Sequence, residues 1–303
     1  MSTTRPPLPG PADDAQVPAF TRSLGLPGLA DIHVHFLPER MLTKVWQVFD
    51  ARGWERAGDW PIHYRTSEAE RLATVRALGL RGIPSLTYAH KPGMAAWLND
   101  WCTDFASRVP DAVHSGTFYP EPEAADYVPA ALERGARLFK AHVQVGAFEP
   151  NDPLLDPVWS VLQDAGTPVV LHAGSGPHGG AHTGPGPVGR LLRRFPRLPL
   201  VIAHLGMPEY REFADLAHRY EHVHLDTTMA GTDYVEAHVP LPPDFRPVLR
   251  DLGEKVVLGA DFPNIPYPYA HQLQALARLD LGEDWLRGVL WRNGARLMGL
   301  ESG

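Results

Sequence analysis

The stretch Leu29-Ala30-Asp31-Ile32-His33-Val34-His35 decides how this chain is read. It is an apolar run in which Asp31, His33 and His35 occupy alternate places. Residues two apart on an extended strand face the same side. The three polar groups are therefore expected on one face, with Ile32 and Val34 on the other. Two inward imidazoles offer a divalent cation two nitrogen donors, and zinc accepts nitrogen and oxygen donors in compact sites. A His-x-His pair alone is weak evidence, because an exposed strand can carry it by chance. Its weight comes from four later apolar runs that also end in a polar group. Lys140 lies in Arg-Leu-Phe-Lys-Ala-His, His172 in Val-Val-Leu-His-Ala-Gly, His204 in Val-Ile-Ala-His-Leu-Gly and Asp261 in Val-Val-Leu-Gly-Ala-Asp-Phe-Pro.

Working outward, these runs belong to a larger alternation. Strands are expected near Leu29–His33, Ile83–Tyr88, Ala112–Phe118, Arg137–His142, Pro168–His172, Leu200–His204, His222–Leu225 and Lys255–Gly259. Helical patterns separate them. Ser67-Glu-Ala-Glu70 reads as a capping box. Trp97, Trp101, Phe105 and Val109 recur every four residues and read as a core-packing helix face. Eight strands alternating with helices indicate parallel βα units. They fit an α/β fold of the (β/α)8 barrel type, somewhat distorted, better than an open doubly wound sheet. In such barrels the chemistry sits on the loops after the strands. Residues 1–24 are proline-rich and read as an N-terminal arm, since that spacing disfavours helix and central strand alike. Residues 25–303 read as one barrel domain. Three loops are long enough to shape a pocket, at 38–66, 175–187 and 227–243.

The side chains then take candidate roles. His172 follows a run typical of a strand buried on both faces and is expected to bind metal as a third imidazole. His204 is either a further ligand or a general acid or base. Asp261 can bind the ion and accept a proton from its water, whose pKa a metal lowers towards ~7. Its bland reading is a turn aspartate before Phe262-Pro263. Lys140 either carries a carbamate that bridges two metals or stays charged and holds substrate or Asp261; the unmodified amine beside a single ion is preferred. Asp31 and Asp226 are expected behind the ligands, Asp31 orienting an imidazole and Asp226 orienting His204 or touching substrate. His178 and His182 lie in a glycine-rich segment, with His178 read as solvated. Arg40, Arg52, Arg56 and Arg65 read mainly as a solvated face, with carboxylate binding as the alternative.

Composition bounds the function. The chain has 303 residues, 44% of them hydrophobic, and a net charge of -7. That balance argues against a nucleic-acid partner. No apolar run reaches the roughly 18 residues of a membrane span, so no membrane partner is expected. The single cysteine, Cys102, makes no internal disulfide, and a cytoplasmic location is the simplest expectation.

Taken together, Asp31-Ile-His33-Val-His35, His172 in Leu-His-Ala-Gly, His204 in Ala-His-Leu-Gly, Asp261 in Gly-Ala-Asp-Phe-Pro and the ending Arg292-Asn293-Gly-Ala-Arg296-Leu-Met-Gly resemble the amidohydrolase superfamily, particularly its amidohydrolase-2 group. The resemblance covers about Leu29 to Leu300. It implies a distorted barrel enzyme holding a divalent metal, most simply one Zn2+, or two ions if Lys140 is carbamylated. It also implies His33, His35, His172 and Asp261 as ligands, His204 as an acid–base or polarising group, and a homodimer. Trp54 and Trp60 are then candidate subunit contacts or pocket walls. The expected activity is hydrolysis of a small carbonyl substrate, an amide or lactone, through a metal-activated water. The alternatives are non-oxidative decarboxylation of an aromatic or muconate-like acid, as in enzymes similar to aminocarboxymuconate-semialdehyde decarboxylase, and a non-catalytic metal-binding barrel. The turn His35-Phe-Leu-Pro38 resembles the decarboxylase branch, and Lys140 departs from it.

Overall fold

The computed structural model describes residues 9–52, 60–176 and 178–300. Eight short parallel strands form the frame. They are β1 (Ile83–Pro84), β2 (Ala112–Val113), β3 (Ser115–Thr117), β4 (Leu138–His142), β5 (Val169–His172), β6 (Leu200–Ile202), β7 (Val223–Asp226) and β8 (Val256–Val257). The last six pair in chain order, β3-β4-β5-β6-β7-β8, and β1 pairs with β2. Only His114 separates β2 from β3, which run as one interrupted strand, so these pieces make seven of the barrel's strands. Helices alternate with the strands, as in a (β/α)8 barrel.

The expected strand at Leu29–His33 is corrected by the structure. It makes only isolated bridges, Leu29 with Leu80 and Val34 with Phe262. Its backbone still closes the ring. On one side Arg81 N–H donates to Leu29 O (3.0 Å) and Leu86 N–H to Val34 O (3.1 Å); on the other, Ile32 N–H donates to Leu258 O (2.9 Å) and Asp261 N–H to His33 O (2.8 Å). The regular strand fails because Asp31 Oδ1 accepts the His33 N–H at 2.9 Å. An aspartate that grips the amide two residues on makes a turn, and the chain bends at Ile32. Ala30 and Ile32 both join the inner cluster, whereas Val34 packs in the outer one. His33 and His35 line a cavity. Asp31 turns instead to Tyr269, whose hydroxyl it accepts at 2.7 Å. Asp31 therefore does not share a face with the two histidines, and Ile32 and Val34 do not share the other.

Elsewhere strict alternation holds. Leu138, Val170, Val201 and Val257 fill the barrel interior, while Phe139, Val169, Leu171, Leu200 and Leu225 pack outward under the helices. Ala295 and Met298 of the closing helix Asn293–Met298 plug the interior. The plug sits tight because residue 294 is glycine: a Cβ there would lie 2.5 Å from Ala30 O. The expected capping box forms, with Ser67 N–H donating to Glu70 Oε2 at 2.9 Å and Glu70 N–H donating to Ser67 Oγ at 3.3 Å. It opens the helix Glu68–Leu78.

Two other expectations change. The arm forms a helix, Val17–Ser23, with Val17 and Phe20 buried. Pro18 lies in its first turn, where a missing N–H costs nothing. The apolar row on the helix Ala95–Arg108 also divides. Phe105 and Val109 are buried as expected, but Trp97 is 44% exposed and lines the cavity.

Candidate metal centre

The cavity opens beyond the strand ends and encloses about 1100 Å3. At its floor His33, His35 and Asp261 converge, with one ligand atom from each lying within 4.8 Å of the others. Each of these residues is held from behind. His33 Nδ1 donates to Asp226 Oδ2 at 2.9 Å, with Thr228 Oγ1 at 3.1 Å. That leaves Nε2 as the lone pair facing inward. His35 Nδ1 lies 2.7 Å from Leu86 O. A carbonyl can only accept, so Nδ1 carries the proton and Nε2 again faces inward. Fixing an imidazole through its other nitrogen is how metal-ligating histidines are oriented.

Asp261 meets these rings from a strained backbone, at φ 62. Its N–H donates to His33 O, and its own carbonyl accepts Asn264 N–H at 2.8 Å. Its Oδ1 stands 3.0 Å from His35 Nε2 and 3.9 Å from His33 Nε2. Two acceptors, Nε2 of His35 and a carboxylate oxygen, thus face one another. A shared cation satisfies that arrangement, and N, N and O donors suit zinc or a similar divalent ion.

Asp226 is the central support. Its Oδ2 takes His33, and its Oδ1 accepts the N–H groups of His204 at 2.9 Å and Thr228 at 3.0 Å. The imidazole it orients is thus that of His33; it reaches His204 only through the backbone. The approach depends on Gly259, where a Cβ would lie 2.5 Å from Thr228 Oγ1 and 2.9 Å from Asp226 Cγ. Asp31 likewise grips backbone, not an imidazole: His33 N–H at 2.9 Å and Ala260 N–H at 3.2 Å.

His204 sits in a left-handed turn, at φ 57, followed by Leu205 at φ 53. Its ring centroid lies 5.3 Å from that of His33 and 4.8 Å from that of His172. Among the described residues its buried Nδ1 has no hydrogen-bond partner. Burial, helped by His33, lowers its pKa to about 4, so the ring is neutral near pH 7. His172 stands outside the His33–His35–Asp261 group. Its Nε2 is 3.0 Å from Gly176 O, leaving Nδ1 for any ligand role, and its ring stacks on His142 at 3.9 Å. Lys140 is fully buried, with Nζ 2.9 Å from His33 Nε2. Burial lowers it to about 8 against the pull of Asp226 and Asp261.

Several contributors were not read from the sequence. His142 lines the cavity, and its Nδ1 accepts Val145 N–H at 3.3 Å, so Nε2–H is its free donor. Only its shared face with Lys140 signalled it. Thr228 and Tyr269 carried no signal at all. Trp60 is 5% exposed and donates to Asn264 O at 2.7 Å, which makes it a pocket wall. Trp54 and Arg56, and the side chain of Arg52, lie outside the described residues. Arg65 is tied to Asp50 by contacts of 3.0 and 2.6 Å, while Arg40 lines the cavity. His178, half-buried, also lines it, and His182 lies 3.4 Å from Glu149.

Solved structures share this architecture. An uncharacterised TIM-barrel protein from Bordetella bronchiseptica superposes with a TM-score of 0.73 at 19% identity, over 89% of this chain and 98% of that one. A 5-carboxyvanillate decarboxylase from Novosphingobium aromaticivorans, complexed with manganese and 4-hydroxy-3-methoxy-5-nitrobenzoic acid, gives 0.62 at 16% identity, over 91% and 97%. A putative 2-pyrone-4,6-dicarboxylic acid hydrolase from Pseudomonas putida gives 0.60 at 15% identity, over 91% and 99%. No curated protein matches the chain. The sequence model of the family described as Amidohydrolase, Amidohydro_2, matches residues 30–300. That span runs from the bend carrying the two fixed histidines to the helix that plugs the barrel, and with it the chain belongs to the amidohydrolase family of metal-dependent enzymes.

Proposed function

We propose that this protein hydrolyses a small carbonyl compound, an amide, lactone or similar, at a single divalent ion, most simply Zn2+. The observation that carries the reading is the His35–Asp261 acceptor pair beside an unpartnered His204 nitrogen. His33, His35 and Asp261 would hold the ion, with His172 supplying Nδ1. When bound, the ion supplies Lewis-acid polarisation and a lowered pKa for water. Asp261 takes the proton of the attacking water and passes it to the leaving group. Neutral His204 donates a hydrogen bond to the oxygen that gains negative charge. Lys140 keeps its amine; its bond to His33 Nε2 uses the lone pair an ion would take, so ion binding displaces it. One ion per chain by elemental analysis is expected, and two would support the carbamate bridge instead.

The second reading is non-oxidative decarboxylation of an aromatic acid. Aromatic walls at Trp60, Tyr88 and Trp97 favour it. Metal-loaded protein is to be assayed with lactones, cyclic amides and aromatic acids, following both acid formation and carbon dioxide. Acid release from a lactone or amide is expected. Carbon dioxide without hydrolysis would replace the first reading by the second.

A further inference from the structure

We propose that the cavity takes an elongated amphipathic anion, and that Arg40, Lys44 and Lys91 bind its charged end, away from the metal cage. The assignment of the reacting end to the cage rests on the proposed function; the anion subsite does not.

Charge is the first argument. The chain carries 28 Lys and Arg against 35 Asp and Glu. The cavity reverses that balance: Arg40, Lys44, Lys91 and Lys140 line it, with Asp261 its only carboxylate among the described residues. Asp261 belongs to the cage. Arginines elsewhere on the surface hold carboxylates, Arg76 with Asp111 at 2.6 Å and Arg134 with Asp100 at 2.7 Å among them. Among the described residues no ion pair within 4.0 Å engages Arg40, Lys44 or Lys91.

Placement is the second. Arg40 and Lys44 stand one turn apart on the helix Glu39–Arg52, hence on one face. Lys91 arrives from the segment after β1. His90 lines the same cavity as Lys44 and Lys91; burial lowers its imidazole, and Lys91 and Lys44 add to the shift. All three cations are exposed, whereas His33, His35, His172 and His204 are buried. A ligand touching both ends therefore reaches from the exposed rim of the cavity to its buried floor.

The wall between them is apolar. Met41, Val45 and Phe49 of the same helix line it, as does Met94 from the segment after β1. Of the five large hydrophobic residues left exposed among the described ones, Val48 (54%), Val145 (48%) and Trp97 (44%) rim this opening. Exposed apolar surface gathered in one place marks a binding site. The volume, about 1100 Å3, lies just above the ~300–1,000 Å3 usual for small-ligand pockets.

The test is a fluorescence titration with two probes of similar body, anionic 8-anilinonaphthalene-1-sulfonate and neutral N-phenyl-1-naphthylamine. Wild type should bind the anion at one site per chain, more weakly as salt rises. The triple variant Arg40→Gln, Lys44→Gln, Lys91→Gln should lose at least about tenfold in that affinity and change little towards the neutral probe. The double variant Arg76→Gln, Arg134→Gln, on paired surface cations, should bind both probes as wild type does. His33→Ala should keep the anion site while losing metal, which separates failure of the subsite from failure of the cage. Thermal melts check folding, which changes at three exposed side chains should not disturb. No saturable anion binding by wild type would overturn the proposal. So would equal affinity in the triple variant, or an equal loss in the control.

Discussion

Asp226 serves His33 with one oxygen and two backbone N–H groups with the other. Asn at this position keeps one acceptor and turns the other into a donor. Either the His33 Nδ1–H or the amide pair of His204 and Thr228 then faces a donor. We expect Asp226→Asn to weaken metal binding about 10–100-fold, read by competition with a chelator. Unchanged affinity would show that Asp226 is packing only. His204→Asn should instead keep the metal and lower kcat by about 10²–10⁴. With His204 at about 4 in the folded protein, the acid limb that reports it should fall near that pH, well below the ordinary ~6.5 of histidine. These groups were legible because each ends an apolar run, where a polar side chain has little packing reason to be. Their supports were not: Leu86 O lies 51 residues from His35, and Thr228 lies 195 from His33. Contacts over such separations leave no spacing signal.

The first element shows where pattern reading failed. Alternation in Asp31-Ile-His33-Val-His35 argued for a strand, but the Asp31 carboxylate, by accepting the His33 N–H, broke its parity. The eight-unit count survived because the bent segment still bonds to both neighbours. The arm failed for a different reason: proline disfavours helix interiors but not first turns. Its folding also ties it to the cage. Asp14 Oδ1 accepts Ala270 N–H at 2.8 Å and its other oxygen accepts the Tyr64 hydroxyl. Tyr64 Oη accepts Tyr269 N–H at 2.6 Å, and Tyr269 donates to Asp31, which holds His33 and Ala260. Tyr64→Phe leaves a buried N–H unpaired and should cost about 1–3 kcal/mol of stability. If the chain positions the cage, metal affinity should also fall several-fold in Tyr64→Phe, and further in Tyr269→Phe, one link nearer. Asp14→Asn keeps one of the two acceptors and should show a smaller loss than either tyrosine variant. Lower Tm with wild-type metal affinity in both tyrosine variants would reduce the arm to a stabilising strap.

At the scale of the whole molecule, the barrel buries many neutral imidazoles, and that ties its stability to pH. His224 is a clean case, because it lies on β7 apart from the cage ligands. It is 7% exposed, its Nδ1 lies 3.2 Å from His222 O, and burial lowers it to about 4. In the unfolded chain it titrates near ~6.5. Between those values the unfolded state holds a proton that the folded ring lacks, so stability rises with pH. The slope from this one group reaches about 1.4 kcal/mol per pH unit. Its effect is absent above the unfolded value and grows as pH falls through the window towards 4. Gln at 224 removes the titration and can still donate to His222 O. Urea unfolding of wild type and His224→Gln from pH 4.5 to 7.5 should therefore give stability curves that run parallel at the upper end. Below pH 6.5 they should diverge, with the variant losing less. Curves that stay parallel to pH 4.5 would mean that His224 takes up its proton in the folded barrel, against the cost of its burial.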